Sequence, residues 1–312
     1  MSAQTGQKLR KGGKRDRSDA LTGWAFMSPF MLLFLLVFAI PIVVAIKTSF
    51  YQLDSSGGGL YGGGEQVATF VGLANYIQAA SNSHFWLGMG RVVVYTLVQV
   101  PIMIGFALAL ALLLDSFLVR RPGIFRLTYF LPFAIPGIIA AMIWLYLYSP
   151  TLSPLVRGLS ALGININFLS PNLVLASMAN MTTWTYTGYN MLIFLAALQA
   201  IPHDLYEAAR IDGASGWQIT TRIKIPLVRG AALLAVLLSI IGTIQLFNEP
   251  AVVSSQNVWM GKDYTPMMMA YNTMMGSLTP SGDGPASAIS VLMAIIAGAM
   301  AGIYAFAQRK VD

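Results

Sequence analysis

The chain has no cysteine, and Asp, Glu, Lys and Arg make up only 10% of its 312 residues. The missing thiols exclude disulfides, thiolate metal sites and a cysteine nucleophile, and leave the redox compartment open. Only two histidines occur, His84 and His203, both in stretches expected to be loops, and no carboxylates cluster. No metal or nucleophile constellation emerges from such a set. The phosphate-cradling pattern Gly-x4-Gly-Lys-Ser/Thr is also absent, so the chain carries no P-loop of an ATPase. Soluble domains carry about 25% charged residues. A chain with 10% charge and 56% hydrophobic residues falls outside that class.

What is present is a series of apolar runs longer than the roughly 20 residues that a membrane-spanning helix needs. They predict an all-α integral membrane protein with six transmembrane helices, near Trp24–Ile46, Gly88–Leu114, Gly123–Tyr148, Asn172–Ala200, Leu227–Phe247 and Ala286–Phe306. The first run is too long for a signal-peptide core and lacks a small-residue cleavage site, so it reads as a retained span. Pro132, Pro136 and Gly137 predict kinks in the third, with neighbouring helices satisfying the freed backbone groups. Ala294, Gly298 and Gly302 put a small-residue packing seam on the sixth. Residues 52–70, 149–171 and 249–286 read as loops, the first of them flexible.

Residues 1–20 form a basic arm with Lys8, Arg10, Lys11, Lys14, Arg15 and Arg17, and residues 21–312 form the membrane domain. With six spans, fifteen of the nineteen Lys and Arg residues fall on the side of the N-terminus. The positive-inside rule makes that side cytoplasmic, so the net charge of +7 calls for membrane lipid and no nucleic acid.

The stretch Pro202–Pro226 is a polar island between two apolar runs. Asp204 with Glu207, and Ser215 with Gln218, have the spacing of capping boxes, so each pair predicts a helix start. The first helix should run from Leu205 to Asp212 and stop at Gly213, because a side chain in the left-handed position costs about 1–2 kcal/mol. Pro226 should close the second, since its ring disfavours helix at the residue before it. Two short helices around a glycine make an elbow.

Glu207-Ala208-Ala209, Asp212-Gly213-Ala214, Trp217, Ile223 and Pro226 together resemble the EAA motif of binding-protein-dependent ABC importers of the carbohydrate-uptake type. Phe70–Tyr76, Phe85-Trp86 and Phe125–Pro132 are similar to stretches of the same family. The second proline often found four residues after Pro226 is replaced here by Gly230, which leaves the start of the next span open. The resemblance implies a permease domain over residues 21–312, whose cytoplasmic elbow, residues 202–226, docks into the ATPase through Glu207, Ala208, Ala209, Asp212, Gly213 and Ala214. It implies a second permease subunit, usually a different chain, two ATP-binding subunits and an extracytoplasmic solute-binding protein. ATP and Mg are then expected on the ATPase, with no cofactor, metal or catalytic residue on this chain.

Polar residues inside the spans suggest where solute passes. Asn180, Thr183, Trp184, Thr187 and Asn190 recur at helical spacing in the fourth span, with Tyr186 and Tyr189 beside them. Ser239, Gly242, Gln245 and Glu249 do so in the fifth, with Asn248 adjacent. Facing lipid they would be costly, so they should face protein or a watery cavity. Helix–helix hydrogen bonding is the plainer reading. A substrate pathway for a sugar or oligosaccharide is the sharper one, since hydroxyl-rich solutes suit amide, hydroxyl and aromatic partners. The expected pathway residues are Asn180, Trp184, Tyr186, Tyr189, Asn190, Gln245, Asn248 and Glu249. A polyol or glycerophosphodiester-like solute is the alternative cargo. A secondary transporter is the alternative class, but it would carry ionisable groups at mid-membrane.

Overall fold

A computed structural model describes residues 15–56, 65–116 and 119–309. Residues 1–14 of the basic arm and the centre of the glycine-rich loop, 57–64, lie outside the described residues.

The chain divides into two units at Thr48. The first is a helical rod: α1 (Arg15–Phe34), a π turn over Leu35–Ala39, and α2 (Ile40–Thr48). Its Leu21–Thr48 portion is long and apolar enough to cross a membrane. Phe30, Phe34 and Phe38 stack along one face at the four-residue spacing that makes helix neighbours.

The second unit opens with an antiparallel hairpin, β1 (Tyr51–Ser56) and β2 (Glu65–Phe70), where the sequence reading placed a flexible loop. The fold is therefore helical with one small sheet. Asn75, at the start of α3 (Ala74–Ser81), anchors the hairpin: its amide Nδ2 lies 2.9 Å from the carbonyl oxygens of both Ser49 and Tyr51. Next comes α4 (Ser83–Asp115), whose 33 residues would reach about 50 Å at the ordinary helical rise.

The third apolar run is sharply broken. α5 (Pro122–Phe130) continues into a 3-10 turn over Leu131–Ala134, and α6 (Gly137–Tyr148) departs at 96°. The cause is local: the Pro136 ring excludes the α region for Ile135, which takes φ −81° and ψ 131°. The loop expected over 149–171 contains α7 (Pro154–Ala161), capped by the Ser153 hydroxyl.

α8 (Val174–Gln199) is long enough to span, but its Thr, Asn, Tyr and Trp content keeps it out of the set that qualifies by composition. Among the described residues four helices qualify, and the bent α5–α6 pair makes five if it is one span. Small residues at Ala107 and Ala111 of α4 are fully buried beside Phe194 and Leu198 of α8, the close approach that holds helices together where lipid removes the hydrophobic drive.

The elbow follows as α9 (His203–Ile211), α10 (Gly216–Ile219), a π turn over Thr220–Lys224 and α11 (Ile225–Leu227). α12 (Arg229–Ile244) ends in a break at residues 245–247, and α13 (Asn248–Ser254) resumes beyond it. The Leu246 carbonyl freed by that break accepts a hydrogen bond from the Thr265 hydroxyl at 2.9 Å. The loop expected over 249–286 thus carries α13 and α14 (Pro266–Met274), and α15 (Asp283–Arg309) closes the unit.

Candidate functional site

The elbow differs from its predicted form in two ways. Asp204 and Glu207 do not cap α9: the residue at the N-cap is Pro202, which has no side-chain acceptor, so both carboxylates fall inside the helix. Pro226 does not end the second helix. The wider π turn over Thr220–Lys224 precedes the prolyl nitrogen, which has no proton to donate, and helix continues to Leu227. The turn between the helices forms as expected. Gly213 sits at φ 82°, and Ala214 N–H bonds the Ala209 carbonyl at 2.9 Å. Ser215 and Gln218 complete a capping box, with Ser215 N–H to Gln218 Oε1 at 2.7 Å.

The elbow has a buried and an outward face. Tyr206, Ile219 and Val228 are buried against Ala111 and Leu114 of α4 and Leu195 and Leu198 of α8, with Ala209, Ala214 and Ile223 partly buried around them. Glu207, Ala208, Asp212 and Gly213 are exposed, and so are Ile211 and Trp217, at 86% and 76%. The Lys224 ammonium makes an ion pair with Asp115, the last residue of α4, at 2.6 Å, and lies 5.1 Å from the centre of the Tyr206 ring. Burial pushes the Tyr206 hydroxyl above its usual titration range, and the Asp115 charge adds to the shift.

Higher in the unit, α4, α8, α12 and the break after α12 enclose a cavity of about 190 Å³. Of the expected pathway residues, Tyr186, Tyr189, Asn190, Gln245, Asn248 and Glu249 line it together. Asn180 and Trp184 do not. Asn180 donates to the Tyr148 hydroxyl at 2.7 Å and Trp184 packs edge-on to Trp144, so both face α6. By helical geometry, about 100° per residue, their face lies roughly opposite the one presenting Thr182, Tyr186 and Tyr189.

The lining also holds residues that the pathway list omitted. Gln99 and Met103 come from α4, Thr182 from α8, and Ser239, Gly242 and Thr243 from α12, with Phe247 in the break. Gln99 was detectable by rule: it is the one amide in the second apolar run. It is 1% exposed, and its Oε1 has no hydrogen-bond partner among the described residues. The Thr182 hydroxyl donates to Glu249 at 2.8 Å and accepts from the Tyr95 hydroxyl at 2.6 Å, so a buried chain holds the cavity carboxylate. Phe133, at the tip of the broken span, stacks on Tyr189 with ring centres 4.6 Å apart and meets Tyr186 edge-on. Two aromatic walls are thereby fixed from a single residue.

Residues 102–312 match the family described as "Binding-protein-dependent transport system inner membrane component". The chain belongs to that family. This permease is 32% identical to the lactose transport system permease protein LacF of Rhizobium radiobacter over 232 residues, covering 73% of this chain and 74% of that one. It is 30% identical to the arabinooligosaccharides transport system permease protein AraP of Bacillus subtilis, over 80% of this chain and 77% of the relative. It also shares the fold of a chain in the crystal structure of a bacterial alginate ABC transporter in complex with an alginate pentasaccharide-bound periplasmic protein. The TM-score is 0.78 at 17% identity, covering 95% of this chain and 97% of the other. The permease is thus a multi-pass membrane component of an importer family.

Proposed function

We propose that this permease forms half of the pathway of an ATP-driven importer for a sugar or oligosaccharide. The observation that carries the reading is the cavity lining: amides, hydroxyls, tyrosines and one carboxylate, with no Lys or Arg side chain. Such a wall offers both acceptors and donors to a neutral polyhydroxylated solute. The single carboxylate disfavours an anionic cargo such as a glycerophosphodiester. Relatives named for lactose and arabinooligosaccharides support the same class.

In this reading α8 is a span despite its composition, because its polar side chains face the cavity and α6 and not lipid. The six spans are then α1–α2, α4, the α5–α6 pair, α8, α12 and α15. Four precede the elbow, which puts residues 202–226 on the side of the N-terminus, where the Lys and Arg excess lies, and both termini in the cytoplasm. The exposed face of Glu207, Ala208, Asp212 and Gly213 docks on an ATPase subunit that supplies ATP and Mg, while Ala209 and Ala214 hold the elbow to the spans. A second permease chain completes the pathway, and a solute-binding protein delivers cargo from outside. ATP-driven closure of the ATPase pair displaces the elbow, and the spans rock between outward and inward access.

The test of the cavity begins by identifying, by mass spectrometry, the ligand that co-purifies with the cognate binding protein, and then measures uptake of that labelled ligand. Gln245→Ala and Asn190→Ala should each reduce uptake about fivefold, the effect of one hydrogen bond of about 1 kcal/mol, with the complex assembled as in wild type. Undiminished uptake in both and in the double mutant would return these residues to helix packing. For orientation, Val258→Cys should react with an impermeant thiol reagent in intact cells and Ser215→Cys should not. Labelling of Ser215→Cys would overturn the topology.

A further inference from the structure

The ion pair between Asp115 and Lys224 is used neither by the cavity nor by the outward face of the elbow. It is built from parts far apart in sequence: Asp115 ends α4, Lys224 ends the π turn 109 residues later, and the Tyr206 ring of α9 lies against the ammonium. Both side chains are largely withdrawn from water, at 16% exposed for Asp115 and 15% for Lys224. Tyr206, Ile219 and Val228 meet α4 and α8 through apolar contact, and apolar contact is non-directional. It resists separation better than it resists sliding. An ion pair of this kind holds one atom to one atom, and register is the best-attested use of such pairs. The π turn that accommodates Pro226 is also what ends at Lys224, so the backbone irregularity and the ionic contact belong to one device.

We infer that Asp115 and Lys224 are positioning residues that pin the elbow to the end of α4, so that elbow and α4 move as one body. α4 is the helix that brings Met103 and Gln99 to the cavity, about 18 Å and about 24 Å along its axis from Asp115 at 1.5 Å per residue. With the pin in place, displacement of the elbow arrives at the cavity wall. Without it, sliding of Tyr206 and Ile219 over α4 absorbs the displacement. The inference rests on the reading of residues 202–226 as the ATPase-docking elbow.

The absence of cysteine from the chain makes the test direct. Spin labels go on Leu113→Cys, exposed on α4, and on Gly216→Cys, where nothing lies within 4 Å of an added Cβ. Their separation is measured by double electron–electron resonance in the whole importer, nucleotide-free and trapped with MgATP and vanadate. The native pair should give one unchanged distance in both states. Asp115→Asn with Lys224→Gln removes both charges and should give a distance that shifts by several ångströms or spreads on trapping. The reversed pair, Asp115→Lys with Lys224→Glu, should restore a single unchanged distance, which a merely space-filling role for these side chains would not do. A native distance that shifts on trapping, or a neutral pair that behaves as native, overturns the inference. If the neutral pair fails to assemble, the reversed pair decides alone, an unchanging distance supporting the pin and a shifting one refuting it. A parallel Ala208→Cys tests for cross-linking to the ATPase subunit. No cross-link in the native background sinks the docking reading and this inference together. A cross-link with a neutral pair that behaves as native sinks this inference only.

Discussion

The two halves of α8 lie in contrasting surroundings. From Met191 to Leu198 the helix is packed with α4 and the elbow in a close apolar cluster in which Met191 and Phe194 are fully buried. From Thr182 to Asn190 it borders a cavity, and besides α4 its neighbours there are interrupted ones: the 96° break between α5 and α6 and the gap between α12 and α13. Close-packed interiors transmit strain, because side chains have few other places to go. Helices broken at their hydrogen-bond ladders have alternatives within a small energy range. The elbow end is therefore suited to carrying a displacement and the cavity end to answering it, and one continuous helix joins them.

The most severe way to break that comparison is to separate α8 from the broken span at their contact. A Cβ placed on Gly188 would fall on the backbone carbonyl of Tyr129, which cannot rotate aside as a side chain would. Overpacking a well-filled interior costs about 1–3 kcal/mol and can exceed that where backbone must shift. Gly188→Val should cut the amount of assembled complex more than tenfold on fluorescence-detected size exclusion. Gly242→Val, at a cavity position with open space beside it, should leave assembly near wild type.

Next comes the carboxylate in the cavity wall. Thr182→Val removes the donor to Glu249 and the acceptor for Tyr95 with little change of shape. A hydrogen bond to a charged group is worth about 1.5–3 kcal/mol, and the buried Tyr95 hydroxyl would keep only its longer bond, 3.3 Å, to the Met178 carbonyl. The melting temperature of the purified complex should fall by several degrees while the elbow stays protected from proteolysis. Loosening of the elbow in the same variant would mean that the two halves of α8 are not separate in energy.

What was legible in the sequence follows the same division. Gly213 and the Ser215–Gln218 box depend on residues within four positions of one another, so local chemistry named them correctly. Asp204 and Glu207 have the same spacing, but the helix begins at His203 beside Pro202, and spacing alone does not set the register of a helix start. Pro226 looked like a stop because an ordinary α turn cannot carry it, and a π turn can. In the cavity, periodicity gathered the polar residues of α8 into one stripe, with Tyr186 and Tyr189 alongside. It could not say that Asn180 and Trp184 face α6 while Tyr186 and Tyr189 face the cavity, since that depends on where α6 lies after the break. The hairpin was hidden because a glycine-rich stretch interrupts its two strands. The Asp115–Lys224 pair had no local signature at all.

A gentler break addresses the elbow turn. Gly213→Val asks a β-branched residue to hold φ 82°, a cost of about 1–2 kcal/mol that falls on the angle between α9 and α10. The protein should still insert and assemble its spans, because no neighbouring atom lies within 4 Å of the added Cβ. Co-purification of the ATPase should drop severalfold. Normal co-purification would show that docking does not depend on the angle of the elbow.

The smallest expected effect separates the cap that forms from the one that does not. Ser215→Ala removes the side-chain acceptor for Gln218 N–H, now 3.3 Å from the hydroxyl, and leaves Gln218 Oε1 alone to serve the Ser215 N–H. Losing such a cap costs about 1 kcal/mol. Asp204→Asn should cost less, about 0.3–1 kcal/mol, because Asp204 makes no cap and contributes only its charge to the first turn of α9. Glu207→Gln, one turn further on and exposed, should leave α9 itself unchanged. Hydrogen exchange on peptides from the elbow resolves the three. Protection of α10 should fall about fivefold in Ser215→Ala, the factor that 1 kcal/mol gives. Protection of α9 should fall less in Asp204→Asn and stay at the wild-type value in Glu207→Gln. Glu207→Gln should nevertheless weaken ATPase association if the carboxylate accepts a charge-assisted bond from that subunit. Unchanged protection with weakened association would locate the role of Glu207 in docking. Unchanged protection with unchanged association would remove Glu207 from the docking face and leave the apolar Ile211 and Trp217 to carry it.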